Sequence, residues 1–228
     1  MLAHHPVSEN GGRLLVLDRE NRRGMVLARG GLNGWSFSPD GKRVAFSKER
    51  RAKDDVYVVN ANGGKPRRIT QDGSSAFPVW TLQGIVFSRI VSGPRIPNHG
   101  WGADELWRMD PDGGNRRSLS GPLPARVLGQ GISGLEPVAW SNGALLAGLI
   151  NEFGSPPYAV NPQTKTLRQI GRFGFRGVAE GLSHDGRHVL VETGGVELVR
   201  TQHVEVVPFA GGEGRVISRF AGEASWNL

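Results

Sequence analysis

The chain of 228 residues contains no cysteine, which excludes disulfide bonds and thiolate chemistry. No stretch approaches the ~18 consecutive apolar residues of a membrane-spanning helix, so the sequence predicts a soluble protein. Residues 1–6 (MLAHHP) form neither a basic nor an apolar leader, and no signal peptide is predicted in this chain. A G-x-S-x-G nucleophile elbow is also missing, which argues against a serine hydrolase site.

The 34 glycines and 14 prolines separate short apolar runs, a composition typical of turn-rich all-β proteins. One phrase recurs with variation: an aromatic-bearing strand, a turn such as S-P-D-G, and an apolar strand. It reads WSFSPDGKRVAF at residues 35–46 and returns as VWTLQGIVF at 79–87, AWSNGALL at 139–146 and LSHDGRHVLV at 182–191. Copies of a unit this short cannot bury their own apolar faces, so they must pack on one another.

Four complete units of four strands, or blades, can be laid out, at 35–77, 78–137, 138–177 and 178–222. In the first unit we expect strands at 35–38, 43–47, 56–60 and 67–70, and in the second a first strand from 79 followed by strands at 85–90, 105–110 and 116–119. In the third unit we expect a first strand from 138 followed by strands at 144–150, 158–161 and 167–170. In the fourth we expect a first strand from 178 followed by strands at 188–192, 204–209 and 215–219. Residues 13–18 and 25–28 predict the last two strands of an incomplete unit, and residues 224–226 its first strand.

Joined, the two ends would form a fifth blade, from 1–34 plus 223–228, that closes a single domain and removes exposed strand edges. Its second strand is either missing or supplied by residues 3–7. The sequence therefore predicts an all-β propeller of four-stranded antiparallel blades, five in number. A six-bladed or truncated propeller is the alternative.

These motifs resemble the repeat of TolB-like β-propellers, the WD-repeat-like family. The resemblance rests on WSFSPDGKRVAF at 35–46 followed by DVYVVNANGG at 55–64, and on ELWRMDPDGG at 105–114 followed by RRSL at 116–119. It extends over residues 13–228 and implies a propeller fold. TolB-type propellers usually have six blades, so the five units counted in this sequence are a departure from the family. Family members include periplasmic protein-binding propellers, propellers attached to serine peptidases and carbohydrate-active enzymes. The resemblance alone suggests an extracytoplasmic location, and its structural motif transfers no catalytic residue.

The formal charge of +7 raises the question of a nucleic-acid partner. The arginine pairs at 22–23, 67–68 and 116–117 occupy the same place in successive repeats, which favours a solvated rim over a phosphate-binding groove. We therefore predict no nucleic-acid partner.

Loops between strands two and three and loops between blades share one face of a propeller, and this loop face carries the insertions. Blade two has long loops at 91–104 and 120–134, and neighbouring loops lie at 49–55 and 151–157. Such long loops are more often functional than structural. The alternative is that Trp101 covers its own blade and His99 is solvated. The candidate binding residues are Arg51, Arg95, His99, Trp101, Asp104, Glu152 and Glu180.

Glu180 stands where the repeat register calls for an aromatic residue. A carboxylate on an inner strand is costly when buried and unpaired, so it should find an arginine, a metal or water. A hydrated residue at a channel mouth is the alternative.

Three other motifs do not support a site. The G-x-G-x-x-G pattern at 129–134 leads to Pro137 and a strand instead of a helix, the residues HDGRH at 184–188 form a turn, and DPDG at 110–113 lacks most calcium ligands. We predict no cofactor, no metal and no catalytic residue.

The predicted function is that of a non-catalytic scaffold binding a protein or peptide partner through its loop face. The alternative is an enzyme-associated or carbohydrate-active propeller, gating a peptidase or binding or cleaving a glycan, with Glu180 and His99 in the channel. A glycan or small ligand would then be the partner.

Overall fold

The computed structural model describes residues 2–4, 12–17, 24–51, 53–90, 105–121, 132–151, 154–172, 177–193 and 203–219. The regular structure in these segments is β-strand, arranged in five antiparallel sheets. The N-terminal sheet has three strands, β1 (Leu2–His4), β2 (Gly12–Leu17) and β3 (Gly24–Gly30), in the order β1-β2-β3. The short β1 fills the second-strand position for which residues 3–7 were one candidate.

The four remaining sheets, which we number blades 1 to 4, are each four-stranded with neighbours adjacent in sequence. Their first strands begin before the predicted starts, at Leu32, Ser75, Ile132 and Gly177. Blade 1 comprises β4 (Leu32–Phe37), β5 (Arg43–Arg50), β6 (Lys53–Asn60) and β7 (Arg67–Arg68); blade 2 comprises β8 (Ser75–Thr81), β9 (Gly84–Arg89), β10 (Glu105–Met109) and β11 (Arg117–Ser118). Blade 3 comprises β12 (Ile132–Ser141), β13 (Ala144–Asn151), β14 (Pro157–Asn161) and β15 (Thr166–Gln169); blade 4 comprises β16 (Gly177–Leu182), β17 (His188–Thr193), β18 (His203–Pro208) and β19 (Arg215–Arg219). The predicted all-β architecture is confirmed. The strand predicted at 224–226 lies outside the described residues, so closure through it stays a prediction.

The chain divides into two compact units, Met1–Arg89 with Arg108–Arg117, and Ile90–Trp107 with Ser118–Leu228. Each unit has an apolar cluster built from the faces of successive sheets. In the first, the cluster contains Leu14, Val16, Leu27, Leu32, Val44, Phe46, Val59 and Ala61. In the second, it contains Leu146, Ala159, Ile170, Ala179, Leu182, Val189, Val191 and Val207. The central strands are apolar on nearly every residue because both of their faces are covered, as in β9 and β13.

The S-P-D-G turn of blade 1 is held by its own side chains. Ser38 Oγ donates to Asp40 Oδ1 at 2.5 Å, Lys42 N donates to the same oxygen, and Arg43 N donates to Ser38 Oγ at 2.9 Å. The turn of blade 4 repeats this network with Ser183 and Asp185. These hydrogen bonds, those from the serine hydroxyls first, lower the pKa of both turn carboxyls.

Each first strand carries a register shift, which is a β-bulge that increases local twist. The shifts fall between Asn33 and Trp35 in blade 1 and between Ala179 and Gly181 in blade 4. Glu180 is therefore the bulge residue of its strand, at the shift between Ala179 and Gly181. Because of the bulge, the residues of β16 before Glu180 pair with β17 one position away from the register that counting back from the turn would give.

The arginine pairs do more than form a solvated rim. Arg67 is exposed, yet its guanidinium donates to the carbonyl oxygens of Pro111 and Asp112 in blade 2. Arg116 donates in return to the carbonyl oxygen of Ile69 at 2.6 Å. These bonds satisfy carbonyls at the outer strands, so the repeated arginines connect consecutive blades. Residues 22–23 lie outside the described part of the chain.

Candidate functional site

Most of the predicted binding residues fall in loops that the structure does not describe. Arg95, His99, Trp101, Asp104 and Glu152 all lie outside the described residues. Their assignment to a binding surface stays a prediction.

The two other predicted residues are described, one in each unit. Arg51 is exposed at the turn between β5 and β6, where it has a positive φ of 52°. Such an angle is uncommon for a residue with a side chain and marks a tight turn. Glu180 lies half-buried on β16.

A carboxylate that sequence reasoning missed is Glu136, on β12 opposite Gly148. Ser155 Oγ donates to Glu136 Oε1 at 2.7 Å. Burial raises the pKa of this carboxyl, and the hydrogen bond from Ser155 opposes part of that rise. Gly148 is needed here because a Cβ at that position would stand 2.0 Å from Ser155 Oγ. A glycine at position 148, inside an otherwise apolar strand, is the sequence signal that could have indicated the close packing of Glu136 and Ser155.

Blade 1 has a related pair at the equivalent register. Asn33 Nδ2 donates to Asp54 Oδ1 at 3.2 Å, and Asn33 lies opposite Ser47 as Glu136 lies opposite Gly148. Asp54 forms a parallel bridge to Ser74, directly before β8, and Ser155 forms one to Val178 on β16. The repeated position explains both pairs as connections between blades. Among the described residues, no three His, Cys, Asp or Glu side chains are grouped closely enough to hold a metal ion.

A candidate site in the first unit is a pocket of about 380 Å³ between the first turns of blades 1 and 2. We call it the turn pocket. It is lined by Ser38, Pro39, Asp40, Arg43, Trp80, Thr81, Leu82, Gln83, Gly84, Arg108, Asp110 and Pro111. The lining segments are the turns between strands one and two and a hairpin between strands three and four. These turns lie at the strand ends opposite to the loops that the sequence analysis had favoured.

An aromatic ring, two guanidinium groups and an exposed leucine meet in the turn pocket. The guanidinium of Arg43 lies 4.7 Å from the ring centroid of the buried Trp80, a cation–π contact. Arg108 pairs with Asp110 at 3.0 Å and donates to the backbone carbonyl of Gln83. Leu82 is 82% exposed at the turn tip. A large apolar residue at this turn tip, where the blade 1 turn has Pro39 and Asp40, is the sequence signal that could have indicated a binding surface here.

The turn pocket also holds an unsatisfied acceptor. The side-chain oxygen of Gln83 is buried, and within the described segments nothing donates a hydrogen bond to it. Buried polar atoms in folded proteins are nearly always hydrogen-bonded, so such an exception requires an explanation.

No protein-family model matches the chain. No helix in the described segments is long and apolar enough to span a membrane.

Solved structures similar to the chain are propellers. The putative TolB of Agrobacterium tumefaciens superimposes with a TM-score of 0.65 at 17% identity, over 94% of this chain and 76% of that one. TolB of Acinetobacter baumannii gives 0.61 at 13% identity, over 94% and 50%. An oligogalacturonate lyase in complex with manganese gives 0.60 at 17% identity, over 99% and 64%.

The chain thus spans about half the length of the Acinetobacter TolB and less than two thirds of the lyase. Identities this low show the fold alone. Together with the five antiparallel sheets, they establish that this chain has a TolB-like β-propeller fold.

Proposed function

We propose that the chain is a non-catalytic propeller scaffold that binds a protein or peptide partner. The observation that carries this proposal is the 82% exposed Leu82 at the turn pocket, beside the stacked Arg43 and Trp80. Protein-binding surfaces combine apolar and aromatic anchors with arginine, surrounded by a polar rim.

The pocket supplies the features that a docking partner would use. A partner apolar side chain placed against Leu82 would remove both from water, worth roughly 1.5–3 kcal/mol for a fully buried leucine. The charged groups Arg108 and Asp110 pair with each other at 3.0 Å, so neither would be left as an unpaired charge under a bound partner. A donor from the partner could satisfy the side-chain oxygen of Gln83 after a small rearrangement.

The loop face is a second candidate location for the same function. Its predicted residues are those of the loop at 92–102, which lies outside the described residues, and Arg51, which is exposed at its turn. One experiment can distinguish the turn pocket from the loop face, because each can be altered by a substitution or deletion that leaves the other unchanged.

Affinity capture from source-cell extract should compare four chains: the parent, Leu82→Asp, a variant with residues 92–102 cut to a short Gly-Ser turn, and Val216→Asp. Val216 is 45% exposed on β19 and serves as the control for adding a surface carboxylate. We expect a partner retained by the parent and Val216→Asp and lost by Leu82→Asp. With that partner purified, Leu82→Asp should weaken Kd at least about tenfold, the effect of a hot-spot residue.

Loss of the partner only in the 92–102 variant would move the site to the loop face. A partner set identical in all four chains would contradict binding at either surface.

A carbohydrate-active or enzyme-associated function is the second candidate. It is favoured by the fold similarity to an oligogalacturonate lyase and by the half-buried Glu180 on an inner strand. Turnover of an acidic oligosaccharide that disappears in Glu180→Gln would support it. Partner capture without any such turnover would favour the binding scaffold.

A further inference from the structure

A second cavity in the first unit, of about 520 Å³, runs alongside β3, β5 and β6 and the residues that precede β7. Four basic residues line it: Arg29, Lys48, Arg50 and Lys65. Its other lining residues are apolar or aromatic, and no carboxylate belongs to the lining. We call this cavity the basic cleft.

The arrangement of the cations follows from strand geometry. Phe46, Lys48 and Arg50 alternate along β5, so their side chains lie on one face of the sheet. Tyr57 is directly opposite Phe46, and the two rings stack with centroids 5.6 Å apart. The side-chain stem of Lys48 lies across Gly30, since a Cβ there would stand 3.1 Å from Lys48 Cε. The cleft therefore has an aromatic floor and a lysine held in place by packing.

Of the acidic residues on the strands beside the cleft, Asp55 is already hydrogen-bonded and Glu49 lies on the opposite face of the sheet. Asp55 lies opposite Lys48, but its carboxylate accepts hydrogen bonds from Arg68, Thr70 Oγ1 and Gly73 N. Glu49 lies on the other face of β5, where its Cβ approaches Gly31. Of the salt bridges formed between described residues, none involves the four cations of the cleft.

Two other inter-blade positions within the described segments differ from the basic cleft in their contacts or their lining. Between blades 1 and 2, Arg67 and Arg116 donate to backbone carbonyls across the gap. Between blades 3 and 4, Arg168 donates to the carbonyl oxygen of Phe209 at 2.7 Å. A cavity of about 680 Å³ near that position is lined by Glu205 and Glu213 as well as by arginine. The basic cleft, whose lining has no carboxylate, thus differs in charge from the cavity between blades 3 and 4.

We infer that the basic cleft binds an extended peptide segment rich in aspartate or glutamate. Lys48 and Arg50 are two residues apart on one strand face, a separation of about 6.6 Å. Alternate residues of an extended peptide have the same separation, so two carboxylates on one side of such a peptide match these two cations. Arg29 and Lys65 extend the positive field along the cleft.

The aromatic residues favour a peptide over a single-stranded nucleic acid. Binding of single strands relies on exposed aromatic rings on which bases stack. Here Phe46 is 1% exposed, and its ring covers one face of Tyr57. The floor offers apolar contact to a peptide backbone but little platform for stacking.

The test uses the full chain and a fluorescent eight-residue peptide, (Glu-Thr)4, with (Gln-Thr)4 as the uncharged probe. The cleft variant carries Lys48→Gln, Arg50→Gln and Lys65→Gln. The control carries Lys42→Gln, Arg187→Gln and Arg215→Gln, three exposed basic residues outside the cleft. Both variants lose the same net charge. Anisotropy titrations at low and physiological salt give the affinities, and thermal unfolding verifies that both variants are folded.

We expect (Glu-Thr)4 to bind the parent and the control within twofold of each other, and the cleft variant about tenfold more weakly. Affinity should fall with salt, and (Gln-Thr)4 should not bind measurably. Equal losses in both variants would show a general charge effect and overturn the assignment. So would the absence of (Glu-Thr)4 binding to the parent, or tighter cleft-dependent binding of an oligothymidylate of matched charge.

Discussion

At the residue scale, buried polar pairs are the features that distinguish one blade from the next. Glu136 and Ser155 in blade 3 occupy the register that Asn33 and Asp54 occupy in blade 1. The carboxylate of the pair is therefore on the first strand in blade 3 and on the third strand in blade 1. Burial destabilises the charged form of the Glu136 carboxyl by more than its hydrogen bond from Ser155 stabilises that form. The native state therefore binds a proton at Glu136 more tightly than the unfolded chain does.

Replacement of Glu136 by glutamine should raise the melting temperature at about pH 7. The folded pKa lies above the ordinary value of 4.5, so the stability associated with the protonated carboxyl is present below that pH and lost as the pH rises through the folded pKa. Glutamine keeps a neutral acceptor for Ser155 at every pH. Melting curves should show the gain near neutrality and none at about pH 3.5.

Glu213→Gln, at an exposed position in the same unit, is the control and should change neither curve. A gain for Glu136→Gln that persists at acid pH would mean that packing, and not charge, causes it.

At the element scale, the two turns with the S-x-D-G pattern have the same internal network and different surroundings. Gly41 has φ of 67° and open space where a Cβ would stand. Gly186 has φ of 73°, but a Cβ there would approach the carbonyl oxygen of Ser141 to 2.8 Å. Ser141 Oγ also donates to the carbonyl oxygen of His184 at 2.6 Å. The blade 4 turn is thus packed against the blade 3 turn.

Gly41→Ala should cost about 1 kcal/mol, the penalty for a side chain at positive φ. Gly186→Ala should cost at least about 2 kcal/mol, because it adds displacement of the Ser141 carbonyl to the same backbone penalty. Urea denaturation measures both. Equal losses would show that the turn of blade 4 is not held by its neighbour.

At the scale of the whole molecule, the chain contains two compact units, while the repeat pattern predicts one domain of residues 1–228. The two turn glycines lie in different units, Gly41 in the first and Gly186 in the second. They therefore report on each unit separately.

If the chain is a single cooperative domain, calorimetry should show one unfolding transition, which both Gly41→Ala and Gly186→Ala shift downward. Two transitions, each sensitive to only one of these substitutions, would contradict the single-domain prediction.

The candidate sites show how sequence prediction succeeds and fails. The loop insertions at 91–104 and 120–134 can be recognised in the sequence from their length relative to the repeat. Most of those residues lie outside the described structure, so their role is still a prediction. The turn pocket was missed because Leu82 and Trp80 are near neighbours in sequence, and only the fold buries one and leaves the other 82% exposed. The basic cleft was missed because Arg29, Lys48 and Lys65 belong to separate segments.

The fold class, the turns and the approximate positions of most strands follow from the amino-acid sequence, because they depend on alternation, β-branched content and local turn chemistry. The predicted strand at 215–219 agrees with β19 at both ends. Tertiary structure alone decided the bulge at Glu180, the pairing of Glu136 with Ser155 across 19 residues, and the arginine bonds between blades. Those features depend on which strands meet and on which polar groups lose their water, and neither is encoded in a window of a few residues.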